Sequence, residues 1–91
     1  MKVTYRVHAV TRMFERGITE EEVHRIVAEG EEIATYPEDQ PYPSRLLLSR
    51  RSDRPLHVVC AYNARDDEQI VITVYEPDPA LWADGFRRRR Q

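Results

Sequence analysis

The sequence predicts an α+β domain: two N-terminal helices packed on a four-stranded antiparallel sheet, followed by a short C-terminal tail. Three observations lead there. Up to Gly30, apolar residues recur at helical spacing. After Gly30 the apolar period drops from about 3.6 to about 2. The alternating segments are joined by short connections, which make neighbouring strands antiparallel.

Each element has its own justification. Residues 5–16 read as the first helix, because Val7, Val10, Met13 and Phe14 fall on one arc at about 100° per residue. Gly17 suits the left-handed position past the helix end. Thr19 opens a second helix: its side chain can accept from the Glu22 amide while Glu22 reaches back, a capping box. Ile18 and Val23 match the hydrophobic staple around that cap. Val23, Ile26 and Val27 form the buried stripe, and Gly30 ends the helix. Residues 32–36 are the first strand. The segment 37–43 carries three prolines and is a loop. Residues 44–50, 56–62 and 69–76 are the remaining strands, with turns at 51–54 and 63–68. Pro77 and Pro79 stop the sheet. Leu81, Trp82 and Phe86 are spaced to dock the tail back on the body, before the basic run 87–90.

Alternation sorts the strand residues into two faces. Leu56, Val58, Cys60 and Tyr62 with Ile70, Ile72 and Val74 make the better core face. His57, Val59 and Ala61 with Val71, Thr73 and Tyr75 make a mixed face that can line a groove.

Composition narrows the function classes. A chain of 91 residues is a single domain over 1–91. No apolar run approaches the roughly 20 residues of a membrane span. The first residues contain no continuous apolar stretch of the secretory-signal type. The lone Cys60 lies in an apolar strand pattern and reads as a small buried hydrophobe, which fits a reducing cytoplasm. The net charge of −2 argues against a bulk polyanion binder. The charges are segregated, however, with basic groups over 6–16, 45–54 and 87–90, so a local basic cleft is open to the fold. Three histidines and one cysteine show no metal-ligand spacing, and no Gly-rich phosphate loop or G-x-S-x-G elbow is present. The expectation is no metal and no cofactor.

Two groups of residues carry chemistry. His8, Arg12 and Arg16 recur every four residues, which sets an imidazole and two guanidiniums along one side of the first helix. Such a row can clamp phosphate through Arg12 and Arg16 while His8 moves a proton. The same row opposite an apolar arc is also what a solvated helix face shows. The second group is His57 with Tyr75 and Thr73 on the mixed face. His57 is either a satisfied structural group or, with Tyr75 assisting, a general acid–base. If the helices cover the core face, the helix row reaches this groove only around a sheet edge. Trp82 and Tyr42 are large aromatics in loop contexts and can stack on a base.

The segments HAVTRMFERGITEEEV, YPEDQPYPSRLLL, RPLHVV and ITVYEPDPALW resemble a family of small prokaryotic proteins catalogued as domain of unknown function 4258. The resemblance covers about residues 7–82. That family is similar to the RelE-like toxins and the wider group of small helix-plus-sheet ribonucleases. The resemblance implies an RNase-like fold, a toxin role, and a small zinc-ribbon antitoxin-like protein as partner. The expectation is therefore a toxin-type domain that cleaves or binds RNA without metal, with His8, His57 and Tyr75 as catalytic candidates and Arg12 and Arg16 on phosphate. The alternative is a non-enzymatic module that binds a protein or nucleic acid.

Overall fold

The computed structural model describes residues 1–50 and 54–91. In chain order the elements are β1 (Lys2–Tyr5), α1 (Val7–Arg16), α2 (Glu20–Glu29), β2 (Glu31–Tyr36), β3 (Ser44–Ser49), β4 (Leu56–Asn63), β5 (Glu68–Tyr75), β6 (Trp82–Ala83) and β7 (Arg88–Arg89). The α+β class and the two helices are as the sequence predicts. The turn expected over 51–54 lies, apart from Arg54, outside the described residues.

The main sheet differs from the expectation. It has five strands in the order β1-β5-β4-β3-β2 and is mixed, not four-stranded and antiparallel. β2 to β5 form the expected antiparallel meander. β1 adds to it in parallel, with Lys2 opposite Glu68 and Tyr5 opposite Val71. Four residues of alternation at the chain start merge easily into the helical pattern that follows. Their pairing partner lies more than sixty residues away, so no local period reveals it. The Thr4 hydroxyl fixes the register by donating to Glu68 at 2.9 Å. The Arg6 amide extends the ladder to the Val71 carbonyl at 2.9 Å, and α1 starts immediately afterwards.

α1 ends where expected but starts at Val7 rather than residue 5, because Tyr5 belongs to β1, and it buries a different face. Ala9 and Met13 are buried, while Val7, Val10 and Phe14 are 82%, 51% and 89% exposed. The helix continues from the end of β1 and packs along β5. A helix lying this close to a strand favours a small side chain such as Ala9 at the contact. Gly17 takes the left-handed conformation at φ 63°, as the sequence requires. α2 carries the complete capping box: Glu22 N–H donates to Thr19 Oγ1 at 3.0 Å, and the Glu22 side chain reaches back to the Thr19 amide. Gly30 ends α2 by a different device, with an extended backbone at φ −64°. A Cβ there would lie 2.6 Å from the Ile26 carbonyl oxygen and 3.3 Å from Leu47 Cβ. Glycine is needed for that close approach. Arg54 ties the helices together, donating to the carbonyls of Arg16 at 2.9 Å and Gly17 at 3.0 Å and facing Glu22.

The core lies between the helices and one sheet face. Val23, Ile26 and Val27 of α2 meet Leu47, Leu56, Val58 and Cys60, with Ile18 beside them. On β5 the strict alternation fails. Val59 pairs with Thr73 and Cys60 with Val71, which leaves Ile72 as an extra residue in a bulge. Val71 therefore joins Val74 in the core, while Ile70 turns to the mixed face with Ala61, reversing the expected assignment of residues 70 to 72. The tail is a folded part of the domain. β6 and β7 form a small hairpin whose turn holds Asp84, Gly85 and Phe86 at φ 53°, 64° and 71°. Arg87 clips it to β2 through Glu31 at 2.8 Å.

Candidate nucleic-acid site

The end of β1, the start of α1 and the bulge of β5 meet at one place. A cavity of about 380 Å³ opens there, lined by Arg6, His8, Asp39, Gln40, Pro41, Tyr42, Ala61 and Ile72. Its size lies in the range of small-ligand pockets, about 300–1,000 Å³. Ala61 belongs to the mixed face, and Ile72 is the bulged residue. Arg6 and His8 bring the start of the first helix to this cavity. His8 thus reaches the mixed face around the sheet edge.

The first turn of α1 adds to the positive character. Arg6 occupies the cap position without a side-chain cap bond, and no acidic residue lies in the first turn. The leading amides of a helix carry partial positive charge and suit an anion. Down the same side of α1 come Arg12 and Arg16, each about 6 Å further along the axis. Both are exposed. Arg12 approaches Glu15 at 3.9 Å with both side chains about half exposed, a contact worth little in water. Tyr42 is half-buried and also lines the cavity. The Ser44 hydroxyl donates to Asp39 Oδ2, which fixes that carboxylate beside Gln40.

His57 and Tyr75 meet elsewhere on the mixed face. They are direct cross-strand partners, about four residues along β4 from Ala61, or roughly 13 Å. The Tyr75 hydroxyl lies 3.0 Å from His57 Nδ1, and the Phe86 carbonyl lies 2.8 Å from Nε2. A carbonyl only accepts, so Nε2 carries the proton and Nδ1 accepts from Tyr75. The Trp82 ring packs edge-on against the imidazole at 4.5 Å between centroids. His57 is 0% exposed as a result. Burial pushes its pKa below the ordinary histidine value, opposed in part by the bond to Phe86. Burial likewise pushes the Tyr75 hydroxyl up. The pair is a neutral, satisfied unit under the tail, separate from the His8 cavity.

The structure brings His8 together with Arg6, Tyr42, Asp39 and Gln40, and leaves His57 and Tyr75 apart. The sequence marks Arg6 only as part of the basic cluster over 6–16 and does not single out Asp39 and Gln40. Arg6 falls outside the four-residue row, and Asp39 and Gln40 sit in a proline-rich loop with no periodicity. A larger cavity of about 620 Å³ lies on the helix side, lined by Val3, Tyr5, Glu20, Glu21, His24 and Arg25. Its glutamates repel phosphate, and Arg25 already faces Glu21 at 3.7 Å. Cys60 is buried with its thiol on Gln69 Oε1 at 3.2 Å, and burial pushes its pKa up. Among the described residues no three His, Cys, Asp or Glu side chains converge as a metal-ligand set. No helix among them is long and apolar enough to cross a membrane.

A family described as a domain of unknown function (DUF4258) matches residues 5–76, which covers the helices and the whole main sheet except the first part of β1. The tail hairpin lies outside the matched region. No curated protein and no solved structure matches the chain significantly.

Proposed function

The chain belongs to the family described as a domain of unknown function (DUF4258), and we propose that it is a toxin-type, RNase-like domain that binds RNA at the His8 cavity and cleaves it there without a metal. The observation that carries this reading is the joint presence of Arg6, His8 and Tyr42 around one concave site. A guanidinium, an imidazole and an aromatic ring are what a phosphodiester with its base needs. In this proposal Arg6, Arg12 and Arg16 hold successive phosphates. His8 accepts the 2′-hydroxyl proton while the 2′ oxygen attacks phosphorus. The bond to the 5′ oxygen breaks, and that oxygen leaves with a proton from solvent. The product is a 2′,3′-cyclic phosphate. His57 and Tyr75 hold the fold under the tail and do not touch the RNA.

The test is RNA affinity and cleavage for the parent and two variants, with EDTA present. Arg6→Ala is expected to weaken binding about tenfold, the equivalent of 1.4 kcal/mol. His8→Ala is expected to lower cleavage at least a hundredfold with affinity nearly kept. Parent-like behaviour in both variants, or cleavage that needs added divalent ion, refutes the reading.

A second reading, a non-enzymatic protein-binding module, is favoured by a separate observation. Val7, Val10 and Phe14 form an exposed apolar ridge at i, i+3 and i+7 on α1, the spacing of a helix that docks in a groove. On this reading the partner is the small zinc-ribbon antitoxin-like protein. Phe14→Asp would then abolish its capture and leave RNA affinity unchanged.

A further inference from the structure

We infer that the His8 cavity is a nucleobase pocket that selects guanine, with Tyr42 as the stacking platform and Asp39 and Gln40 reading the Watson–Crick edge. The inference rests on the proposed RNA reading and adds to it the identity of the base. Arg6 and His8 account for a phosphate, but they leave the other lining residues without a use. The remaining lining is Tyr42, Pro41, Ala61 and Ile72 with the polar side chains of Asp39 and Gln40. A flat aromatic ligand fits such a lining: Tyr42 offers a ring face, while Ile72 and Ala61 offer apolar contact.

The polar pair decides which base. Asp39 Oδ2 takes the Ser44 hydroxyl, and Oδ1 has no protein partner among the described residues. An ionised carboxylate only accepts hydrogen bonds, and each oxygen has two lone pairs. Its best complement is an edge with two neighbouring N–H donors. Among the four RNA bases only guanine presents that pair, N1–H beside the N2 amino group. Adenine and cytosine set an acceptor beside their amino group, and uracil has one N–H between two carbonyls. A carboxylate facing those acceptors meets repulsion, so the pocket discriminates by rejection as well as by attraction. The Gln40 amide can donate to guanine O6, completing the edge. The Ser44 bond matters because it holds the carboxylate in place before the base arrives.

The experiment is titration of the full chain with 5′-GMP, AMP, CMP and UMP, followed by two-dimensional amide NMR, alongside binding of a guanine-free and a guanine-containing RNA oligomer. GMP is expected to bind at least tenfold tighter than the other three and to shift residues 39–42, 61 and 72. Asp39→Asn keeps an acceptor for Ser44 but replaces one carboxylate oxygen by a donor. It is expected to bring GMP down to the level of AMP without changing the melting temperature. Tyr42→Ala is expected to weaken all four nucleotides together, by tenfold or more, with Tyr42→Phe restoring them. Equal binding of the four nucleotides, or GMP preference that survives Asp39→Asn, overturns guanine selection. Oligomers that bind equally well with and without guanine, while no mononucleotide binds, overturn the base pocket and leave the RNA reading standing. Absence of binding by every oligomer and nucleotide overturns both.

Discussion

Trp82→Ala tests whether the tail is part of the folded unit. Trp82 is 8% exposed and packs on a His57 ring that is itself fully buried. A buried tryptophan removes about 150–250 Å² from water, which at about 25 cal/mol per Å² amounts to roughly 4–6 kcal/mol as an upper bound. Measured Trp-to-Ala losses of about 3–5 kcal/mol agree with that scale. For a domain of this size each kcal/mol moves Tm by about 4–8 °C, so a fall of well over 10 °C is expected. The same change has a second readout. When the tail lifts, His57 loses the Phe86 carbonyl and regains water. Burial is the larger influence on its pKa and holds it down, so undocking returns it toward about 6.5. Thermal melts and an NMR titration of the His57 ring measure the two effects. A variant that melts within a few degrees of the parent, with the His57 pKa unmoved, would show that the tail contributes nothing to the sheet it covers.

The remaining predictions concern single devices. Thr19→Ala removes the side-chain acceptor of the capping box on α2, leaving only the backbone bond to Glu22, and is expected to cost about 1 kcal/mol in chemical denaturation; an unchanged midpoint counts against the cap. Gly17→Ala meets no neighbouring atom but must adopt φ 63°, so a loss of about 1–2 kcal/mol is expected from backbone strain alone, with Gly17→Asn milder. His57 has a lowered folded pKa, so the unfolded chain binds its proton first. The resulting stability is fully present above about pH 6.5 and is lost as pH falls through the folded pKa. Denaturation midpoints taken from pH 7.5 down to 5 for the parent and His57→Gln check this, because the variant should lack that part of the slope.

Helix α2 and the meander were legible in the sequence because their signals are local. The T-x-x-E cap, the apolar stripe at Val23, Ile26 and Val27, and the proline loop each depend on residues within a few positions of one another. β1 was not legible, since four alternating residues acquire meaning only through Glu68–Val71, far along the chain. The exposed side of α1 was misread for a related reason. A helical wheel reports which residues share a face, not which face a neighbouring strand will cover. Ala9 is too weakly apolar to win against Val7, Val10 and Phe14 on a wheel, yet it is the side chain that lets α1 lie close to β5. The faces of β5 were inverted over residues 70 to 72 by a bulge, which changes the register by one without leaving a Gly or Pro to mark it.

The candidate site follows from those same unreadable features. His8 was visible from its spacing, and Tyr42 as an aromatic in a loop. What joins them is the parallel strand β1, which sets Arg6 at the sheet edge, and the bulge, which turns Ile72 into the cavity. The tail then decides which of two candidate sites remains accessible. It satisfies both nitrogens of His57 and leaves His8 in the open. A buried imidazole with two fixed partners and a depressed pKa is poorly placed to exchange protons with a polymeric substrate, because the substrate would first have to displace Trp82 and Phe86. An imidazole at the rim of an open cavity, next to a guanidinium, has no such barrier. On the proposed reading the strand–helix junction at Arg6 and His8 is therefore the better candidate, and the buried pair anchors the sheet's covered end.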